Sequence, residues 1–252
     1  MPFSTDLLTR AAKLIIDNQP AIALTGAGIS VASGIPDFRG KNGLWSIYEP
    51  SEYATIDAFM ADPAKVWKMI RAMDELISKA KPNPAHIGLG KLEKMDLLQY
   101  IITQNVDNLH QDGGSRNVIE FHGNHSTLSC LFCGNKYGIE EKRQEFPPAC
   151  ECGKILKPDV IFFGEGIPEM ALSLSYKLAS SAGTVLVIGT SAQVMPANSI
   201  PVTAARNNAK IIEINKERTF LTDDLTDLFL EGDAGEIIAE LVEELEGLRG
   251  KD

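Results

Sequence analysis

The chain has 252 residues, 44% of them hydrophobic and 23% charged, and a formal net charge of −10. Those values suit a soluble globular protein of one large unit, or a large and a small one, with a sizeable core. The acidic balance argues against direct nucleic-acid binding, which needs clustered Lys and Arg; it fits a basic peptide partner, or acidity for solubility alone.

In chain order, residues 4–18 carry Leu7, Leu8, Ala11, Ala12, Leu14 and Ile15 at helical spacing, with Ser4 or Thr5 as N-cap. Residues 21–24 read as a short buried strand running into a glycine-rich turn, Gly26, Ala27, Gly28, Ile29, Ser30. Glycines there allow close backbone approach, Thr25 and Ser30 add hydroxyls, and a helix starting near Gly28 would aim its N–H groups at a nucleotide diphosphate. Val31 stands where a strict dinucleotide fingerprint has its third glycine, and an unliganded turn is the alternative reading. Pro36, Asp37, Phe38, Arg39 and Gly40 continue the motif, placing a cation for phosphate and an aromatic to cover a flat ring.

Residues 41–83 read as loop plus helix, broken or restarted at Asp62 and Pro63. Beyond them come a helix (84–94) and candidate strands at 100–103, 118–121, 160–163, 185–188, 210–214 and 228–230, with helices at 169–181, 197–207 and 234–248. Alternation of this kind implies an α/β fold with a mostly parallel sheet covered on both faces. The 41–83 and 126–158 segments break the alternation and read as two inserts packed beside the sheet, with a cleft between. The Glu-rich 236–246 stretch is the solvated face of a last helix.

Polar groups gather where strands end. Gln104, Asn105, Val106, Asp107, Asn108 and His110 follow the 100–103 strand; a plain Asn-rich turn is the alternative. His122, Gly123 and Asn124 follow the next strand, and an imidazole suits proton transfer near neutral pH; His86, His110 and His125 are read as structural. Gly164 and Glu165, Gly189, Thr190 and Ser191, and Asn215 close further strands. Cys130-x-x-Cys133 and Cys150-x-Cys152, sixteen residues apart, approach the spacing of a tetrahedral structural zinc site, with a redox pair or buried thiols as alternatives. The single spacer in the second pair tightens that knuckle. No signal-peptide pattern and no run of about 20 apolar residues is present, so a cytoplasmic location without membrane contact and reduced thiols are expected.

Together the motifs resemble the sirtuins, the NAD-dependent protein deacylases. The resemblance rests on Gly26 to Ser30, Gly34 to Gly40, Thr103 to Asp107, His122 to Asn124, the four cysteines, Phe162 to Glu165, Gly189 to Ser191, Asn215, and Gly232 with Asp233 and Ala234, in the family's order along nearly the whole chain. The Cys-x-Cys knuckle departs from the family pattern, and the short termini are those of a catalytic core. A single catalytic domain over 1–252 is expected: a Rossmann-like part (1–40, 84–125, 159–252) and a small part made of a helical insert (41–83) and a zinc insert (126–158).

The resemblance implies a reaction in which acyl-lysine attacks the nicotinamide ribose of NAD, nicotinamide leaves, and the acyl group ends on ADP-ribose. His122 would be the base, with Asn105 and Asp107 holding the ribose, a water or the nicotinamide amide. Gln104 would contact the ribose, Val106 would line the same site, Phe38 would shield the reactive face, and Arg39 with the Gly26, Ala27, Gly28 and Ser30 turn would hold the diphosphate, with Asp37 a further cofactor-binding residue. Gly189, Thr190, Ser191, Asn215, Asp233 and Ala234 would form the adenosine end. The substrate peptide would lie as an added strand between Val160, Phe163, Gly164 and Glu165 on one side and Val194 on the other. Two other activities are weighed: a non-catalytic NAD or acyl-lysine binding module, and a protein ADP-ribosyltransferase. Sirtuins preferring acidic acyl groups resemble one another in a Tyr-x-x-Arg pair, and here Ile70 and Met73 fall at those positions with Arg71 one residue off. Deacetylation over desuccinylation is therefore expected.

Overall fold

The computed structural model describes residues 5–38, 40 and 43–250. Its strands are β1 (Ala21–Thr25), β2 (Tyr100–Thr103), β3 (Val118–Glu120), β4 (Gly123–Ser129), β5 (Lys136–Gly138), β6 (Lys157–Val160), β7 (Thr184–Ile188), β8 (Lys210–Asn215) and β9 (Leu228–Glu231). The first helices are α1 (Thr5–Asp17), α2 (Pro50–Tyr53), α3 (Ile56–Ala61), α4 (Pro63–Ile77), α5 (Pro84–Lys94) and α6 (Leu109–Asp112). They are followed by α7 (Ile139–Lys142), α8 (Glu169–Ser181), α9 (Ser199–Arg206), α10 (Phe220–Asp224) and α11 (Ala234–Arg249).

Six strands form a wholly parallel sheet in the order β3-β2-β1-β7-β8-β9. Side chains alternate between its faces, so each strand feeds two cores. Ala21, Ala23, Ile101, Leu186, Ile188, Ile212 and Ile214 meet α1, α5 and α11 through Ile15, Leu89, Ile238 and Leu241. Ile22, Leu24, Ile102, Val185, Val187 and Ile211 meet α8 and α9 through Leu178, Ala179, Ile200 and Ala204. Each fully buried Ile or Leu contributes about 1.5–3 kcal/mol, so the strand ends project from a rigid base. Strand order reverses between β1 and β7, and in open α/β sheets the crevice outside the carboxyl ends at such a reversal is where ligands bind.

The two inserts share a third core. Phe59, Val66, Trp67 and Ile70 of the helical insert pack with Leu128, Cys130, Ile139, Cys150, Leu156 and Phe162, and the Trp67 indole donates to the Leu156 carbonyl at 2.8 Å. The helix break at Asp62 is a cap: its carboxylate accepts the Lys65 N–H at 3.0 Å, with Pro63 at the first helical position. A small antiparallel sheet, β5-β4-β6, lies under the cysteines. The expected strand over 160–163 is displaced: β6 ends at Val160 and belongs to the small sheet, because Ile161 and Phe163 turn aside to bond His122 and Ala54.

Candidate active site

All six main-sheet strands deliver their following residues to one cleft of about 830 Å³. It is lined by the 26–30 turn after β1, Gln104, Asn105, Val106 and Asp107 after β2, His122 after β3, Gly189, Thr190 and Ser191 after β7, Asn215 after β8, and Gly232 and Ala234 after β9. Asp37, Phe38, Phe163, Gly164, Glu165 and Val194 line it from the loops, and Val160 from the end of β6. Asp233 does not; it caps α11 by accepting the Gly235 N–H at 2.9 Å and pairs with Lys216 at 3.1 Å. Arg39 lies outside the described residues.

The glycine turn forms a 3-10 turn over Ala27–Ser33 rather than an α-helix. Its glycines let two turns close on each other: Gly28 N–H donates to the Gly189 carbonyl at 2.8 Å, and a Cβ on Gly28 would stand 2.7 Å from that oxygen. Gly26 N–H is likewise spent on the Ile188 carbonyl, and Ile29 N–H on that of Gly26. A diphosphate at this turn would therefore meet the Ala27 N–H and the opposing 189–191 turn rather than a nest of glycine amides.

Ser30 is the hub of a buried network. Its hydroxyl donates to Asp107 Oδ2 at 2.7 Å and accepts from Asn105 Nδ2 at 3.0 Å, while His86 Nε2 stands 3.4 Å away. The Asn83 N–H donates to His86 Nδ1, so the His86 hydrogen sits on Nε2 and points at Ser30. Burial pushes Asp107 up from the ordinary carboxylate range, against hydrogen bonds from Leu109 N–H and Ser30. It also pushes His86 down to about 4 and His110 to about 3, so both rings are neutral at pH 7.

His122 is half-buried, and its Nδ1 lies 3.2 Å from the Gln104 carbonyl. A carbonyl only accepts, so Nδ1 carries the hydrogen and Nε2 is left with its lone pair. Desolvation lowers the imidazole below its ordinary value of 6.5 despite that bond. The Gln104 amide in turn donates to Thr190 Oγ1 at 3.0 Å, tying the support of the imidazole to the β7 turn.

At the other end, Asn215 Nδ2 donates to the Thr190 carbonyl at 2.9 Å. Below it, the fully buried Glu213 carboxylate accepts hydroxyls from Thr219 (2.7 Å), Thr222 (2.7 Å) and Thr226 (3.0 Å). Three donors satisfy a carboxylate that has no cation beside it among those bonds, and they fix the segment whose Lys216, Arg218 and Phe220 line the cleft mouth.

On the side where a substrate peptide is expected, Phe163 N–H donates to the Ala54 carbonyl at 2.9 Å, and Ile56 N–H donates to the Phe163 carbonyl at 3.0 Å. Glu165 N–H closes a turn onto Phe162, so open backbone groups begin at Gly164. The Glu165 side chain is a brace: it accepts the Phe162 N–H at 2.7 Å and the buried Lys157 ammonium at 2.9 Å.

The cleft continues along α4, where Ile70, Met73 and Ile77 line it. Arg71 points elsewhere, donating to the Arg143 carbonyl and stacking over Phe146. His125 also lines the cleft, with its Nε2 3.1 Å from the buried Asp74 carboxylate. The hydrogen bond from His125 holds Asp74 below the usual carboxylate range.

The four cysteine sulfurs all lie within 4.8 Å of one another, with Cys130 to Cys152 at 3.6 Å and Cys133 to Cys150 at 3.5 Å. A tetrahedral zinc with bonds of about 2.3 Å sets its sulfurs about 3.8 Å apart, so the donor set fits that ion. The short knuckle is accommodated by one less residue in its turn. Gly134 N–H bonds Cys130 four residues back and Gly153 N–H bonds Cys150 three back, and both glycines sit at φ 79°. Four thiolates leave no open position, which makes the centre structural.

His86, expected to be structural, is one half of a capping box whose other half, Asn83, the sequence does not single out, nor does it single out Trp45, whose ring centroid is 4.9 Å from that of Phe38.

The Sir2 family matches residues 26–196. An NAD-dependent protein deacylase of Pyrococcus furiosus is 45% identical over 95% of this chain and 98% of its own, and NAD-dependent protein deacetylase 1 of Pyrobaculum aerophilum is 42% identical over 98% of each. A solved complex of a Sir2 homologue with NAD matches with a TM-score of 0.90 at 41% identity, covering 98% of this chain and 96% of that one. A Sir2 protein bound to a myristoylated histone peptide matches at 0.85 and 34%, covering 99% and 100%. The chain belongs to the Sir2 family, the sirtuins, and none of its described helices is long and apolar enough to cross a membrane.

Proposed function

We propose that the protein is an NAD-dependent protein lysine deacetylase of the cytoplasm, where its four thiols stay reduced for zinc. The observation that carries this reading is the His122 tautomer: a neutral ring with Nε2 unprotonated, on a cleft shared by the Ser30 network and the Gly164 edge. When bound, NAD supplies an electrophilic ribose carbon and a leaving group. Asn105 and Asp107, oriented by Ser30, would hold the nicotinamide ribose and amide. Phe38 would shield that end from water, and Thr190, Ser191 and Asn215 would seat the adenosine. His122 Nε2 would take the proton of a ribose hydroxyl, freeing that oxygen to bond the acyl carbon. The acyl-lysine peptide would lie between Gly164 and Val194, its acyl group toward Ile70 and Met73. Relatives named for NAD-dependent deacylation support the reading.

The test is an acetylated peptide with NAD. Equal release of nicotinamide and deacetylated peptide is expected; nicotinamide release with ADP-ribose attached to protein would instead show transferase chemistry, and neither product would show a binding module.

A base must be neutral to act, so a lowered imidazole keeps working to lower pH. The acid limb of kcat/KM is expected to have its midpoint below 6.5, the ordinary histidine value. A pH–rate profile placing that midpoint above 7 would take His122 out of the base role.

Acyl choice follows from the α4 wall. A succinyl carboxylate against Ile70 and Met73 would be desolvated with no cation, since Arg71 is turned away. The acetylated form of a peptide should exceed its succinylated form by about tenfold or more in kcat/KM, with longer aliphatic groups tolerated. Direct competition between the two peptides decides this, and a preference for succinyl would refute it.

A further inference from the structure

His125 is a polar side chain in an apolar wall. Ile70, Met73 and Ile77 fall on successive turns of one face of α4 and line the cleft over about 10 Å of helix, at about 1.5 Å per residue. His125 joins that lining from β4, three residues past His122. Its backbone N–H donates to the Val106 carbonyl at 3.2 Å, so it is anchored to the turn that carries Asn105 and Asp107. Asp74, one helical turn beyond Ile70, is buried and faces it from α4.

The bonding fixes which nitrogen is committed. Asp74 Oδ1 only accepts as a carboxylate, so His125 Nε2 carries a hydrogen toward it at 3.1 Å. Arg143 Nη2 donates to the same oxygen at 2.9 Å and pairs with Glu140 at 2.8 Å, so the Asp74 charge is already answered. His125 Nδ1 makes no hydrogen bond to the described residues. A polar atom beside a channel of this kind costs free energy when a purely aliphatic chain displaces water from it, and returns it when the chain brings a partner.

We propose that His125 is a specificity-determining residue that gives the acyl channel one hydrogen-bonding point, favouring short acyl groups that carry a hydroxyl over aliphatic groups of the same length. A hydroxyl can donate to the Nδ1 lone pair that the Asp74 bond leaves open, as an aliphatic chain cannot. Nor can a carboxylate: it would approach a ring whose far side is an ion pair already balanced by Arg143. The inference rests on the deacylase reading and names the acyl class that the same cleft takes.

The experiment compares one peptide carrying acetyl-, butyryl-, 3-hydroxybutyryl- or succinyl-lysine, with NAD, on the wild type, His125→Leu and His125→Gln. The readout is the ratio of kcat/KM for 3-hydroxybutyryl over butyryl within one preparation, which does not depend on the fraction of enzyme folded. The expected ratio exceeds one in the wild type and falls about five- to tenfold in His125→Leu, the scale of one hydrogen bond. His125→Gln, which retains a donor and an acceptor, should hold the ratio nearer the wild-type value. An equal ratio in the wild type and His125→Leu, or a wild type that prefers succinyl to 3-hydroxybutyryl, overturns the inference while leaving deacylation standing. A wild type inert on every peptide, acetyl included, overturns the deacylase reading and this inference with it.

Discussion

His122→Ala is expected to lower deacetylation by about 10²-fold or more, the usual scale for a positioned general base, while NAD binding changes little. The asymmetry comes from the layout of the cleft. His122 stands after β3 at the sheet edge, whereas the 26–30 turn, the β7 turn and Asn215 lie around the reversal between β1 and β7 and bond one another independently of the imidazole. The substitution leaves the Gln104 carbonyl facing the cleft, where water can replace the lost donor, so folding should survive. Single-turnover deacetylation alongside calorimetric titration with NAD measures both halves. Deacetylation within a few-fold of wild type would remove His122 from the mechanism, and loss of NAD affinity in step with rate would make it a binding residue instead.

One zinc per chain, held by Cys130, Cys133, Cys150 and Cys152, is the second large expectation, and its removal should unfold the inserts before the main sheet. Cys130 and Cys150 belong to the same buried cluster as Trp67, Leu128, Leu156 and Phe162, so releasing the sulfurs opens that core directly. The parallel sheet has its own cores and shares no residue with this cluster. Structural zinc contributes about 10–16 kcal/mol in small zinc modules, so its loss removes a large share of what holds this cluster together. Trp67 reports on the event, because its indole bond to the Leu156 carbonyl spans the two inserts. Chelator titration followed by tryptophan fluorescence should show an early transition, with far-ultraviolet circular dichroism mostly retained. Metal analysis that finds no zinc in protein purified without chelator would defeat the claim.

Much of this was legible in the residues because the main sheet uses signals that are local. The 100–103 strand and the 84–94 and 169–181 helices stand at those bounds, since the first is an apolar run, the second is closed by its own capping box and the third starts directly after Pro168. The small sheet was not legible. β4 reads Gly, Asn, His, Ser, Thr, Leu, Ser, and only Leu128 and His125 are buried along it, so its pairing with β5 and β6 depends on the cysteine knuckles rather than on alternation. The cleft could be located from where strands end, but roles within it could not. Gly26 and Gly28 look like phosphate-binding amides until their N–H groups are seen spent on Ile188 and Gly189. The Glu165 carboxylate looks free at a strand end until Lys157, eight positions earlier, is found against it. His125 reads as an ordinary buried histidine because its partner Asp74 is 51 residues away.

On the proposed placement of the substrate, the stitching of Phe163 to Ala54 and Ile56 would give peptide affinity and acyl affinity a shared free energy. The segment that would carry the substrate backbone is bonded through Ile56 to α3, and α3 packs on α4, whose face walls the acyl channel. Peptide and acyl group would therefore press on the same piece of structure from two sides. Linkage makes such an effect reciprocal: whatever an ill-fitting acyl group does to the insert is returned as a change in how tightly the peptide is held. Substitutions along α4 and substitutions in the peptide should then fail to add, even where no atom of one touches the other.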